Sequence, residues 1–163
     1  MKHALPIIND KTNWFDGTAY GRLSVMRKYK VISLFSGGMG LDIGMNKTGM
    51  FDVVACVEKE KSFCDTIRRN RDAGRLPPHL MVFEGDIRDI SPSLILEKTG
   101  LREEDIDVIV GGPPCQSFST AGRRGTLQDP RGTLLWEFLQ FVDAIRPKFF
   151  LMENNVSLLQ QSQ

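Results

Sequence analysis

A cysteine on a proline-rich loop is the residue of this sequence best suited to nucleophilic chemistry. The run Gly111-Gly-Pro-Pro-Cys-Gln-Ser-Phe-Ser119 follows Ile106–Val110, a short apolar run typical of a buried strand. Paired prolines fix the backbone, and strand ends are where a rigid scaffold presents catalytic groups. Cys115 is therefore a candidate nucleophile, because a cysteine thiolate is intrinsically reactive. Cys56 and Cys64 lack such a setting, and we expect them to be small buried hydrophobic residues.

A glycine-rich turn offers a place for a nucleoside-type ligand. The segment Phe35-Ser-Gly-Gly-Met-Gly-Leu-Asp-Ile-Gly44 lies between a predicted strand and a predicted helix. The lack of side chains at Gly37, Gly38 and Gly40 lets the backbone approach a ligand, and a helix N-terminus offers N–H groups to an anion. The glycine spacing is one residue off the dinucleotide-binding fingerprint, so a nicotinamide-dependent dehydrogenase is not favoured. A purely structural tight turn is the alternative.

Two carboxylates follow the next two predicted strands. Glu58 comes after the second strand, where a carboxylate can accept hydrogen bonds from both hydroxyls of a ribose. Asp86, within Gly85-Asp86-Ile87, follows the third strand and can accept a hydrogen bond from an adenine amino group. Either residue alone could be a solvated carboxylate. Together with the glycine turn, they place a nucleoside contact at each of three successive strand ends, which favours a nucleoside-containing cofactor there.

Strands and helices alternate along the chain after an irregular N-terminal arm. Residues 1–29 show no clean apolar period and are predicted to form this arm, followed by one catalytic domain over residues 30–163. The alternation predicts an α/β fold, an open, mostly parallel, doubly wound sheet with helices on both faces. The predicted strands are 30–35, 51–57, 80–83, 106–110 and 148–152, and the predicted helices are 39–47, 59–71, 91–98 and 133–145.

Length and composition exclude several classes of protein. A chain of 163 residues with 41% hydrophobic and 25% charged residues fits one globular domain. Its apolar runs are too short for a membrane span and its first residues contain no secretory signal, so we expect a cytoplasmic protein without membrane attachment. Three cysteines without a CxxC pair argue against a metal site and a disulfide framework. A net charge of +1 means that nucleic-acid contacts must come from local patches.

Taken together, these motifs resemble the DNA (cytosine-5)-methyltransferase family. The similarity runs from about Val31 to Val156 and covers the family's first six sequence blocks in order. A Pro-Pro-Cys-Gln run and a later Glu-Asn pair, each after a predicted strand, form a highly specific combination. The matching blocks are Leu34-Phe-Ser-Gly-Gly-Met-Gly40, Glu58, Asp86, Pro114-Cys115-Gln116, Asp129-Pro-Arg-Gly-Thr-Leu134 and Glu153-Asn154.

The resemblance implies a fold of the S-adenosylmethionine-dependent type, with that cofactor bound at the strand ends. It implies that Phe35 stacks on the adenine and that Glu58 binds the ribose. The other cofactor-binding residues that it implies are Gly37, Gly38, Gly40, Asp86, Ile87 and Leu134. The implied substrate is cytosine in double-stranded DNA: the Cys115 thiolate adds to C6, Glu153 holds or protonates N3, and C5 attacks the sulfonium methyl. Methylation of RNA cytosine by a close relative of the family is an alternative.

A long polar loop follows the cysteine. From Gln116 to Arg131 the sequence has no apolar period, and a stretch of this length is often a lid over a site. Its basic side chains can meet DNA phosphates when such a lid closes. A mobile, solvated loop is the alternative. The residues predicted to contact DNA are Gln116, Ser119, Arg123, Arg124 and Arg131.

The resemblance is incomplete at its C-terminal side. Asn155 stands where the family usually has Val. The family's target-recognition region, arginine-bearing strand and closing helix have no counterpart before Gln163, and five of its seven strands are predicted. We therefore expect a truncated catalytic domain, inactive alone, that needs a C-terminal remainder or a complementary subunit. A non-catalytic, cofactor-binding subunit of a split enzyme is the alternative.

Overall fold

The computed structural model describes residues 27–114 and 133–153 of the chain. Within these ranges the chain forms five β-strands and four α-helices in alternating order. The strands are β1 (Tyr29–Leu34), β2 (Phe51–Glu58), β3 (Met81–Glu84), β4 (Val108–Gly111) and β5 (Phe149–Met152). The helices are α1 (Gly40–Lys47), α2 (Lys61–Asp72), α3 (Pro92–Thr99) and α4 (Thr133–Ile145), with 3-10 turns at Ile87–Asp89 and Glu103–Asp105.

The strands of the described residues pair in parallel in the order β3-β2-β1-β4-β5. This arrangement confirms the predicted α/β class and the five predicted strands, with small shifts at their ends. Strands β2 and β3 are added in turn on one side of β1, and β4 and β5 are added in turn on its other side. The strand order therefore reverses between β1 and β4, and open α/β sheets bind ligands at the carboxyl ends of the strands beside such a reversal.

Both faces of the sheet are covered by helices, as the alternation predicted. Neighbouring residues of β1 point to opposite faces because side chains alternate along a strand. Ile32 belongs to a buried cluster with Phe138 and Phe141 of α4, whereas Val31 belongs to a second cluster with Ile67 of α2. Burial on both faces explains why the three central strands, β2, β1 and β4, are continuous apolar runs in the sequence.

Local sequence sets the starts of two helices. The Ser91 hydroxyl accepts a hydrogen bond from the Leu94 N–H at 3.1 Å, and Pro92 occupies the first position of α3, where no N–H partner is needed. Helix α2 begins at Lys61, two residues later than predicted. The backbone at Glu60 is extended, and its N–H donates to the Glu58 carboxylate at 2.7 Å.

Asp107 ties the starts of three strands together, which sequence reasoning did not anticipate. Its buried carboxylate accepts hydrogen bonds from Arg27 at 2.7 Å, from Lys148 at 2.6 Å and from the Lys30 N–H at 2.9 Å. Burial alone raises the pKa of Asp107, but the bonds from Lys148, Lys30 and Arg27 outweigh it, and the pKa lies below its ordinary value. The strand predicted from residue 106 begins at Val108, just after this anchor.

The predicted N-terminal arm lies outside the described residues except for 27–29, of which Tyr29 already belongs to β1. Among the residues that the structure describes, no helix has the length and hydropathy needed to cross a membrane.

Candidate functional site

A cavity of about 360 Å³ opens at the carboxyl ends of the central strands. The predicted cofactor residues Phe35, Glu58, Asp86, Ile87 and Leu134 all line it. Phe35 follows β1, Glu58 is the last residue of β2, Asp86 and Ile87 follow β3, and Leu134 lies in the first turn of α4. Because these positions are far apart in the sequence, only the folded sheet brings them together. A cavity of this size falls within the usual range of small-molecule sites.

Glu58 is held rigidly at the end of β2. Its two carboxylate oxygens accept hydrogen bonds from the backbone N–H groups of Gly37 and Glu60, each at 2.7 Å. The Glu58 side chain is nearly buried but still lines the cavity. Because a carboxylate offers about four acceptor positions, these two bonds leave about two lone pairs directed elsewhere. Glu58 can therefore accept a hydrogen bond from the turn after β1 and, at the same time, hydrogen bonds from a hydroxyl-bearing ligand.

The glycine turn has a backbone that accommodates close approach. Phe35, Gly37 and Met39 all have positive φ, at 55°, 50° and 62°. Such angles are easily adopted by glycine and strained for the other two residues, as is often found at functional sites. A Cβ added at Gly37, Gly38 or Gly40 would meet no atom of the described part of the chain within 4 Å. Protein packing therefore leaves open space beside all three glycines.

Asp86 forms ion pairs with Arg88 and Lys59 at the rim of the cavity. Its carboxylate accepts hydrogen bonds from the Arg88 guanidinium at 2.6 and 2.8 Å and from Lys59 Nζ at 3.1 Å. These bonds, that of Arg88 above all, hold the pKa of Asp86 far below its usual range despite partial burial. Asp86 is thus a carboxylate at neutral pH, but its acceptor atoms are not free.

Glu153 lies directly after β5, beside the loop that leaves β4. Its backbone N–H donates to the Gly111 carbonyl at 2.9 Å. A Cβ placed on Gly112 would lie 3.8 Å from Glu153 Oε2, so the carboxylate borders the start of the Gly-Pro-Pro loop. Gly112 and Pro114 in turn line the cavity. The structure therefore places Glu153 next to the loop that leads to the predicted nucleophile.

Several predicted site residues lie outside the described residues. They are Cys115, Gln116, Ser119, Arg123, Arg124 and Arg131, and the unusual Asn155 lies outside them too. Within the described ranges, no group of three or more His, Cys, Asp or Glu side chains is arranged to hold a metal ion.

The two other cysteines are buried, as predicted. Cys56 is fully buried on β2, and burial raises its pKa to about 12. Cys64 is also buried on α2, its pKa is raised mainly by burial, and its thiol donates to the Glu58 carbonyl at 3.3 Å. Neither thiol has the ionisation needed of a nucleophile at neutral pH.

Asp42 is a buried carboxyl that sequence reasoning passed over. It lies in the first turn of α1 with 1% of its surface exposed, and its Oδ1 has no hydrogen-bond partner within residues 27–114 and 133–153. Burial raises the pKa of Asp42, while a hydrogen bond with Ser33 of β1 acts in the opposite direction. The available signal was one acidic residue between the apolar Leu41 and Ile43 in a predicted helix.

Comparison with known proteins adds curated relatives and a solved structure. Type II methyltransferase M.AquIA of Picosynechococcus sp. is 45% identical over 134 residues, covering 82% of this chain and 51% of that protein. Type II methyltransferase M.NgoPII of Neisseria gonorrhoeae is 40% identical over 130 residues, covering 80% of this chain and 34% of that protein. The chain therefore spans about half the length of one relative and about a third of the other.

The solved structure is similar in fold. A crystal structure of a Spodoptera frugiperda DNMT2 mutant superposes with a TM-score of 0.58 at 22% identity, covering 83% of this chain and 38% of that one. The sequence model of the C-5 cytosine-specific DNA methylase family matches residues 29–163. That match includes every strand and helix described above and the Pro-Pro-Cys-Gln and Glu-Asn motifs. The chain therefore belongs to the C-5 cytosine-specific DNA methylase family.

Proposed function

We propose that the chain carries the cofactor site and the nucleophile of an enzyme that transfers a methyl group from S-adenosylmethionine to C5 of cytosine in DNA. The observation that carries this proposal is the shared cavity. Phe35, Glu58 and Asp86 line it together with Gly112 and Pro114, which lead directly into the proposed nucleophile. A cofactor bound by the first group would therefore lie next to a base attacked from the second.

The cavity fits the nucleoside part of S-adenosylmethionine. Phe35 offers an aromatic face for a purine ring, and the open lone pairs of Glu58 suit the two ribose hydroxyls. The side chains of Ile87 and Leu134 form an apolar part of the cavity wall. Gly37, Gly38 and Gly40 do not line this cavity, but the open space beside them would let a ligand that extends from it come close to the backbone. When bound, this cofactor supplies an activated methyl group.

Cys115 is proposed as the nucleophile and Glu153 as the residue that stabilises the reacting base. Addition of the thiolate to C6 forms a C–S bond and moves electron density toward N3, where Glu153 holds or donates a proton. The ring then has enamine character, which makes C5 nucleophilic. After C5 has taken the methyl group, a base or water accepts the C5 proton, and elimination of the thiolate restores the C5–C6 double bond and frees Cys115. The base must leave the helix stack to reach these groups.

The outer edge of the sheet supports the need for further polypeptide. Within the described residues, β5 pairs with β4 and has no partner on its other edge. Phe149, Phe150 and Leu151 are exposed by 68%, 54% and 47%. An exposed apolar edge strand is a template for pairing with another segment. The proposal therefore includes a polypeptide, equivalent to the rest of the longer relatives, that covers β5 and carries target recognition; Arg123, Arg124 and Arg131 would contact DNA phosphates.

Covalent trapping tests the nucleophile in the enzyme completed by that polypeptide. A DNA duplex with 5-fluorocytosine at the target should become attached to Cys115, because fluorine cannot leave C5 as a cation. Cys115→Ser should abolish adduct and turnover, whereas Cys64→Ser, a matched control, should retain both. Glu153→Gln should slow adduct formation about 10²- to 10⁴-fold. An undiminished adduct in Cys115→Ser would refute the assignment, and methylation of RNA but not DNA would refute the substrate.

Calorimetry on the isolated chain tests the cofactor site. We expect S-adenosylhomocysteine, the demethylated product, to bind, and Glu58→Ala to weaken binding by about 1–3 kcal/mol through loss of charge-assisted bonds. The same isolated chain should show little or no methyl transfer until the completing polypeptide is added. A folded chain that does not bind at millimolar ligand would contradict the proposed cofactor. Robust site-specific DNA methylation by the isolated chain would contradict the need for a further polypeptide.

A further inference from the structure

The Asp86 carboxylate at the rim of the cavity is already saturated with hydrogen-bond donors. Oδ1 accepts from the Arg88 backbone N–H at 3.1 Å and from Arg88 Nε at 2.8 Å. Oδ2 accepts from Arg88 Nη2 at 2.6 Å and from Lys59 Nζ at 3.1 Å. Because each carboxylate oxygen offers about two acceptor positions, no position remains for a ligand amino group.

The two cations that bind Asp86 differ in how strongly they interact with its carboxylate. Arg88 contacts both oxygens in a bidentate arrangement, the stronger and more directional kind of ion pair. Lys59 contacts one oxygen at a longer distance, and its side chain is 65% exposed, compared with 44% for Arg88. An exposed, single-contact lysine pair contributes little and is easily exchanged with water. Lys59 is therefore the donor that an incoming group displaces most readily.

Glu58, which lines the cavity together with Asp86 and Glu60, has no such competitor among the described residues. Its donors are the backbone N–H groups of Gly37 and Glu60, and its remaining lone pairs are available to a ligand. Asp86 can accept a bond from the cofactor's adenine amino group only after one cation has left. We propose that Lys59 is a displaceable counterion that competes with the amino group for Asp86, while Arg88 stays bound and positions the carboxylate. This proposal rests on the proposed function of the cavity.

Displacement of Lys59 has a direct consequence for affinity. Removing the Lys59 ammonium group should strengthen cofactor binding about two- to five-fold, because the ligand no longer has to break this ion pair. That factor corresponds to the free energy of an exposed ion pair. Removing the Arg88 guanidinium should weaken binding, because the carboxylate loses the bidentate contact that orients it. Added salt weakens exposed ion pairs, so it should tighten binding to the unchanged chain as long as Lys59 is present.

Calorimetric titration with S-adenosylhomocysteine tests the proposal on the full chain. The variants are Lys59→Met, Arg88→Met and, as a matched control, Lys61→Met. Lys61 is an exposed lysine close in sequence that pairs with Asp65 at 2.8 Å and does not line the cavity. Each variant is titrated at about 0.05 and 0.5 M salt, conditions of weak and strong screening, and its folding is checked by circular dichroism.

We expect Lys59→Met to bind more tightly at low salt and to lose the salt dependence seen in the unchanged chain, and we expect Lys61→Met to change neither. For the 6-oxo analogue of the ligand, whose carbonyl accepts hydrogen bonds, Lys59→Met should give no gain. Unchanged or weaker binding of S-adenosylhomocysteine by folded Lys59→Met would overturn the role of Lys59. Unchanged or tighter binding by folded Arg88→Met would overturn the positioning role of Arg88. Absence of binding by every folded variant would instead refute the proposed function itself.

Discussion

Gly111 and Gly112 are adjacent glycines that should respond oppositely to the same substitution. A Cβ added to Gly111 would lie 2.6 Å from the Leu34 carbonyl oxygen, 3.1 Å from Phe138 Cε2 and 3.2 Å from Leu34 Cβ. Among the described residues, a Cβ added to Gly112 would meet nothing closer than 3.7 Å, an ordinary contact with Glu153. Gly111→Ala should therefore force β4 and β1 apart at the edge that bears the cavity, whereas Gly112→Ala should fit.

The expected magnitudes follow from these contacts. Overpacking a buried site usually costs about 1–3 kcal/mol, and the upper part of that range applies here because a backbone oxygen cannot rotate away. Replacing glycine by alanine also restricts the unfolded chain, which stabilises a compatible site by about 0.4–1 kcal/mol. Gly111→Ala should thus lose roughly 2 kcal/mol of unfolding free energy, while Gly112→Ala should be neutral or slightly stabilised.

Urea unfolding followed by circular dichroism measures both variants. With a slope of about 1–3 kcal/mol per molar urea, the Gly111→Ala midpoint should fall by about 1 M relative to Gly112→Ala. Because the Glu153 N–H donates to the Gly111 carbonyl, Gly111→Ala should also lower methyl transfer in the completed enzyme. A midpoint for Gly111→Ala equal to that of the unchanged chain would refute the close approach of β4 to β1.

Three further predictions concern the rest of the scaffold. Asp107→Asn should lower the unfolding free energy by about 1–3 kcal/mol at pH 7. The pKa of Asp107 is lowered in the folded state, so its carboxylate contributes to the unfolding free energy above about pH 4, the ordinary pKa of an aspartate. This contribution is lost as the pH falls through the lowered folded pKa, and the unfolding free energies of the unchanged chain and Asp107→Asn should therefore converge in acid. In a Cys115→Ser chain, where the proposed reactive thiol is removed, Cys56 and Cys64 should react with a thiol reagent only when the chain unfolds, and fast labelling of that native variant would contradict their burial. Ser91→Ala should cost about 1 kcal/mol through loss of the α3 cap, whereas Ser93→Ala should stay within about 0.5 kcal/mol, and equal losses in urea unfolding would argue against capping.

The local pattern of the sequence was sufficient to predict the fold class and much of the candidate site. Apolar runs bounded by glycine or proline marked all five strands. For the central strands β2, β1 and β4 the reason is that a strand buried on both faces must be apolar throughout, whereas β5 is an apolar run that stays exposed at the edge. The ends of those runs marked Phe35, Glu58 and Asp86, since carboxyl ends of parallel strands meet at one edge. The predicted starts of helices were less exact. Helix α2 begins two residues later than predicted because the Glu60 N–H is bound to the Glu58 side chain, and the spacing of apolar residues in the sequence does not show such a hydrogen bond.

The sequence by itself thus determined which residues form strands and which of them stand at strand ends, because both depend on near neighbours in the chain. Only the tertiary structure decided what those residues touch. Asp107 looked like one polar residue within an apolar run, and its partners Arg27 and Lys148 come from distant parts of the sequence. The close packing that requires glycine at Gly111 arises because β4 lies beside β1 and not beside β3. Such contacts depend on the order of strands across the sheet, which is set by packing between segments far apart in the chain.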